Sequence, residues 1–288
     1  MNTAIEALRL PLGTDLSGFV ALLQRLGVPH RVSEEGGEQV LWVPDSRLVR
    51  EVGLLYARFP EGDPQGALPA PPRSSSTSGI FHQLRRSPLT ALMLLATLLV
   101  AALTLLGDNL AAVGWLTFQE FHIQGDYLYF VPLAESLAAG QWWRLLTPML
   151  IHFGWLHLAM NALWYWELGQ RIEARQGAPM LLLLTLLFGL ASNVAQYLFG
   201  GPALFGGLSG VLYGLLGHCW IFHRLAPGAA YRLPPGVVAM MLIWLLVCLS
   251  GLVTALGLGA IANAAHVAGL VAGCLTGAVG GAWARRRG

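Results

Sequence analysis

The strongest constraint on this chain is a series of six apolar segments, at about residues 88–107, 149–170, 178–199, 208–224, 236–256 and 261–282. Each approaches the roughly 20 residues a helix needs to cross a ~30 Å hydrocarbon layer. In lipid, every backbone N–H and C=O must find its partner within the chain, so such segments fold as helices. Composition agrees, since 55% hydrophobic against 11% charged residues is abnormal for a water-soluble domain. The expectation is an all-α polytopic membrane protein, a bundle of six transmembrane helices in contact with the lipid bilayer.

Charge orients the bundle. Arg85 and Arg86 precede the first segment, Arg171 and Arg175 follow the second, Arg224 and Arg232 the fourth, and Arg285, Arg286 and Arg287 the sixth. With six spans all four clusters share one side, which the positive-inside rule makes cytoplasmic, along with both termini. The opposite connections carry mostly Asp108, Glu120, Asp126 and Glu135, with Arg144 the basic exception. The first of these, about 108–148, contains "WLTFQEFHIQGDYLYFVPL" and "QWWRLL", aromatic stretches that suit a structured, partly embedded loop.

The material before the first span is different. Residues 1–62 read as a small α+β cytosolic domain: a strand from Ala4 to Leu10, a helix from Asp15 to Leu26, a hairpin around "SEEGGEQ" and a helix from Asp45. Residues 63–84, which include "DPQGALPAPPRSSSTSGI", read as a flexible linker, and 85–288 as the membrane domain. The N-terminus lacks a basic start followed by an apolar core, so no cleaved leader is expected. A net charge of +2 gives no reason to expect nucleic acid as a partner. Cys219, Cys248 and Cys274 show no metal-ligand spacing and read as small core residues; no metal is expected.

Against this background "FGGLSGVLYG" stands out. Ser209 lies fifteen residues before Arg224, or roughly 22 Å of helix, short of the ~30 Å layer. The fourth helix therefore begins below the outer surface near Ser209, and "GGPALFGGL" descends to it as non-helical backbone, tolerated only where protein or a wet cavity surrounds it. His266 lies nineteen residues before Arg285 and His157 fourteen before Arg171, roughly 28 and 21 Å respectively. Serine and histidines reach comparable depth. Gly269, Gly273, Gly277 and Gly281 form a four-residue stripe after His266, and Gly210, Gly214 and Gly217 line the fourth helix. Small faces let two membrane helices approach closely.

If those faces meet, His266 lies beside Ser209 and takes its proton, activating a nucleophile. No Asp or Glu in the sixth span orients the imidazole, so the arrangement is a dyad, with Tyr213 one turn from Ser209 to pack against the ring. The Ser209 amide at a helix N-terminus supplies one oxyanion donor, and His157 and Asn161, four apart on one face, supply candidates for the rest. Each feature alone has a plainer explanation. A G-x-S-G is commonly close packing, and a lone intramembrane histidine can serve a helix–helix hydrogen bond or a proton relay. Their convergence from three spans favours a site. His218 and His223 read as packing or interface residues, His152 as a structural hydrogen bonder, and Glu173 as a cap or ion-pair partner at the cytoplasmic face. A transport reading lacks an acidic partner in the spans and an internal repeat.

At these residues the chain resembles the rhomboid family of intramembrane serine proteases, in its bacterial GlpG type. The likeness covers about residues 85–282 and rests on "WWR" ending in Arg144, "HLAMN" from His157 to Asn161, "GLSG" from Gly207 through Leu208 and Ser209 to Gly210 with Tyr213 following, and "AHVAGLVAG" with Gly269 and Gly273. It implies a six-helix rhomboid bundle in the bacterial inner membrane, a Ser209 nucleophile, a His266 base, and an oxyanion pocket of His157, Asn161 and the backbone at Leu208 and Ser209. Gly207, Gly210, Gly269 and Gly273 become supporting residues and Arg144 a structural one. It further implies transmembrane protein substrates, no cofactor, and lateral access controlled by the fifth helix and the loop before the sixth. Pro148 and His152 bracket the start of the second span in a pattern the resemblance does not explain. The alternative is a non-catalytic rhomboid-like protein that binds membrane clients; an intact Ser209 and His266 weigh against it.

Overall fold

The computed structural model describes residues 5–62, 83–257 and 259–287, in two compact units, 1–79 and 80–288. In the first unit, β1 (Ile5–Pro11), α1 (Ser17–Arg25), β2 (Arg31–Glu35), β3 (Glu38–Val43) and α2 (Ser46–Arg58) follow in that order. The strands form an antiparallel sheet ordered β1–β3–β2. Gly36 and Gly37, at φ 63° and 82°, provide the tight left-handed turn between β2 and β3. The Asp45 carboxylate caps α2 by accepting from the Arg47 amide at 2.9 Å. Hydrogen bonds from the Ser17 side chain and amide hold Asp15 below the usual carboxylate range. Phe19, Leu22 and Leu23 of α1, Leu41 and Val43 of β3 and Val52 of α2 form the core. The expected elements are present within a residue or two; nearly all of the linker expected at 63–84 lies outside the described residues.

The second unit is apolar outside as well as inside: around a core that includes Leu168, Ile172, Leu181 and Phe188 it buries hydrogen-bonding groups and turns large apolar side chains outward. Its buried set includes Thr90, Thr97, Glu173, Thr185, Asn193 and His218, while Leu92, Leu99, Leu183, Phe199, Ile243 and Val279 face outward. An apolar exterior, with the polar groups buried and hydrogen-bonded inside, is the arrangement lipid requires. α3 (Pro88–Leu103) starts at Pro88. Glu173, buried, accepts from the amides of Leu89 and Thr90 at 2.8 and 2.9 Å and from the Thr90 hydroxyl at 2.7 Å. The glutamate thus caps a neighbouring helix whose first N–H groups have no partner of their own.

The connection after α3 is built rather than loose. It contains α4 (Leu110–Leu116), a hairpin of β4 (Phe121–Gln124) and β5 (Tyr127–Phe130) turning at Gly125, α5 (Leu133–Ala138) and two 3-10 turns, Trp142–Leu145 and Thr147–Leu150. Buried Arg144 fastens it by donating to the carbonyls of Gly114 and Thr117 at 2.6 and 3.0 Å and to the Gln141 side chain.

Next come α6 (Trp155–Gln176), α7 (Ala178–Gly200), α8 (Ser209–Leu225), α9 (Val237–Leu249), α10 (Leu252–Ala255) and α11 (Asn263–Arg287). Two segments depart most from expectation. The second apolar segment, expected from 149, becomes helical only at Trp155, because Pro148 sits in a 3-10 turn and Gly154 adopts φ 90°. The helix then continues past 170 because Ile172 and Glu173 are buried. The fifth segment breaks at Gly251, φ 78°, so 236–256 is not one helix. Of the six segments, α7 and α11 are long and apolar enough to cross a membrane by length and hydropathy alone; α3 and α9 are apolar but shorter.

α8 is the hub. Gly210 through Cys219 are all buried, and the seam with α11 is made of backbone. A Cβ at Gly269 would overlap the Gly210 carbonyl, one at Gly273 the Gly214 carbonyl, and one at Gly277 would stand 2.6 Å from the His218 carbonyl. The two glycine faces meet without side chains between them.

Candidate active site

Ser209 opens α8, and the approach to it is non-helical from Pro202 to Gly207. That approach is tied down: the Gly207 amide donates to the Pro148 carbonyl at 3.0 Å, and a Cβ at Gly206 would stand 2.8 and 2.9 Å from the carbonyls of Pro148 and Ile151. The break at Pro148 that delays α6 thus supplies the acceptor that guides the chain to the serine.

His266, one turn into α11, points its Nε2 at Ser209 Oγ across 2.7 Å. The Tyr213 ring lies 5.0 Å from the imidazole, centroid to centroid. Tyr213 also donates its hydroxyl to the Met241 carbonyl of α9 at 3.0 Å, a contact that sequence reasoning did not anticipate. His266 is 6% exposed, and its Nδ1 is buried without a partner among the described residues.

His157 and Asn161 stand on the facing side. The Phe153 amide donates to His157 Nδ1 at 3.4 Å, leaving the ring proton on Nε2. That Nε2 faces Gly207, where a Cβ would stand 2.7 Å from it and 3.9 Å from Asn161 Nδ2. Gly207, at φ 112°, leaves the space open. Asn161 directs one amide hydrogen to the His157 carbonyl at 2.8 Å and keeps a second. A narrow cavity beside Ser209 is lined by Met149, Ser192, Asn193, Phe205, Gly207 and Ala265, among others. Ser209, His266, His157, Asn161, Tyr213 and the glycines 207, 210, 269 and 273 are thereby gathered around the start of α8, while Arg144 is in the preceding connection.

Leu208 differs from the rest. Its amide donates to His152 Nε2 at 3.4 Å, the lone pair there being set by a hydrogen bond from Nδ1 to the Leu150 carbonyl at 3.1 Å. This amide is committed to an imidazole rather than open. His152 was expected to make a structural hydrogen bond, and it makes two; that its partner would be the residue before the serine had no signal in the sequence.

The donor set contains no grouping of three or more His, Cys, Asp or Glu able to hold a metal among the described residues.

The chain matches two family models, a rhomboid domain over residues 139–283 and a rhomboid N-terminal domain over 1–69. The chain belongs to the rhomboid protease family. Among its relatives, the rhomboid protease GlpG of Serratia proteamaculans is 34% identical over 270 residues, covering 89% of this chain and 90% of that protein. The protein of the same name from Salmonella schwarzengrund is 30% identical over 88% of this chain and 89% of its own length. One from Yersinia pestis is 37% identical over 65% of this chain and 61% of its own. The match to the N-terminal model covers the αβ unit, so this rhomboid chain resembles its relatives in both parts.

Proposed function

We propose that this rhomboid protease uses Ser209 as its nucleophile and His266 as general base, and cleaves peptide bonds in or near transmembrane segments of membrane proteins. The observation that carries the proposal is the 2.7 Å approach of His266 Nε2 to Ser209 Oγ. It is a distance at which proton transfer accompanies attack.

In the forward step Oγ bonds to the scissile carbonyl carbon while its proton passes to Nε2. The carbonyl oxygen gathers negative charge, which the Ser209 amide, the His157 Nε2–H and the Asn161 amide stabilise as positioned donors. Leu208's amide joins them only on leaving His152. Collapse returns the proton from His266 to the departing amine and leaves an acyl-Ser209 ester. Water, deprotonated by the same imidazole, then hydrolyses that ester and restores the hydroxyl. The chain's own groups account for every proton moved.

The wider reading has residues 1–62 as a cytosolic domain, 63–84 as a linker, and 85–288 as six spans with both termini cytoplasmic in a bacterial inner membrane. Its support is the outward apolar surface together with arginine clusters on one side of the six-segment scheme. α8 needs no full-length span if its missing turns are replaced by the 202–207 approach, held by Pro148.

The test uses wild type and Ser209→Ala in liposomes, with a fluorophosphonate probe and a single-span model substrate. Labelling and cleavage should both vanish in the variant; retained cleavage overturns the assignment. Asn161→Ala should lower kcat by about 10²-fold or more while labelling of Ser209 persists.

A further inference from the structure

Asn263 is the first residue of α11 and stands three positions before His266. That spacing sets two side chains on the same helix face as neighbours. Asn263 Nδ2 donates to the Cys248 carbonyl of α9 at 3.2 Å. Since a carbonyl can only accept, the carboxamide must turn its N–H end to Cys248, which fixes which end is which. Its other end, Oδ1, is buried and has no partner among the described residues.

The same holds for His266 Nδ1. An imidazole whose Nε2 receives the serine proton must carry its hydrogen on Nδ1, so one orphan is a donor and the other an acceptor. No Asp or Glu occurs in α7, α8, α9 or α11. The groups facing His266 are Ser209 and Tyr213 from α8 and His157 from α6; Cys248 ends the nearby turn of α9, and Gln196 of α7 accepts from the Ala265 amide at 3.3 Å. None offers Nδ1 an anionic acceptor.

We infer that Asn263 Oδ1 is the acceptor for His266 Nδ1–H across one bridging water, making Asn263 a positioning residue for the base. The inference rests on the Ser209–His266 reading. It gives the dyad a neutral third member from the base's own helix. Because the same carboxamide grips α9, the seating of α9 and the aim of the imidazole share one side chain.

The test is the pH profile of kcat/KM for the full chain in liposomes acting on a single-span model substrate, for wild type, Asn263→Ala and Asn263→Asp. Both variants lose the donor to Cys248, so any effect of freeing α9 is common to them. Asn263→Ala should lower kcat roughly tenfold with little change in KM, as orientation of the general base is lost. Without an acceptor the imidazolium is less favoured, so the acid limb moves to lower pH. Asn263→Asp, of nearly the same shape, adds a carboxylate that favours the imidazolium, and its acid limb should move up by about one pH unit. Acid limbs that coincide in all three proteins overturn the inference, as does a loss confined to KM, which would mean that Asn263 merely pins α9. A wild type with no acid limb at all would instead sink the assignment of His266 as base.

Discussion

α8 and α9 are neighbours attached to the bundle by different means. α8 is buried along most of its length and meets α11 backbone to backbone through glycines. α9 buries Met241, Leu245 and Cys248, is bounded by left-handed glycines at 236 and 251, and is held to α8 and α11 by side-chain hydrogen bonds to the carbonyls of Met241 and Cys248. The seam that holds the proposed nucleophile and base therefore has no rotamers to relax, whereas the adjoining helix is held by three buried side chains and two polar contacts worth about 1 kcal/mol each. Rigidity is concentrated where a displacement of an ångström would cost rate.

The sharpest way to break this contrast is Gly273→Leu. Its Cβ would overlap the Gly214 carbonyl, so the seam must open and activity should disappear, with a destabilisation on the order of 3 kcal/mol visible in thermal unfolding in detergent. Normal activity would mean that the seam is more pliable than its packing. Next in size is Glu173→Ala, away from both helices. Three donors at the start of α3 would lose their acceptor, lowering stability by about 2 kcal/mol or more while leaving fluorophosphonate labelling at Ser209 intact.

Tyr213→Phe keeps the ring on His266 and removes the hydroxyl from Met241. Steady-state kinetics should change only a few-fold, and Tyr213→Ala, which removes the ring as well, should do markedly worse. Equal effects would show that the hydroxyl, not the ring contact, matters. The smallest change is expected from Gly251→Ala, strained at φ 78° but facing open space, at about 1 kcal/mol with unaltered labelling. The pH dependence follows from the base: activity should fall on the acid side as His266 takes a proton from solvent and can no longer accept one from Ser209.

Much of this was legible in the residues. The short distance from Ser209 to Arg224 fixed where α8 begins, because helical rise converts residue counts into depth. The glycine stripe identified the α8–α11 contact, because only small residues allow it. Less legible were features set by single backbone contacts. The late start of α6 had a signal in Pro148 and Gly154, and the break in α9 had one in Gly251, but apolar character runs through both and masks them. The β4–β5 hairpin could have been read from alternation around Gly125 in "FHIQGDYLYF". The pairing of His152 with Leu208, and the grip of Asn263 on the Cys248 carbonyl, depend on tertiary placement that no local pattern encodes.

The glycine stripe has one more consequence, for assembly. Its knobs recur every four residues, so the nearest wrong fit of α11 against α8 is a slip of one rung, roughly 6 Å along the axis. Such a slip would carry His266 a full turn away from Ser209 while leaving the surface offered to lipid almost unchanged. A misassembled molecule would therefore be inert instead of promiscuous, and the same row of hydrogen atoms that brings the helices together acts as a fail-safe on a hydrolytic enzyme embedded among other membrane proteins.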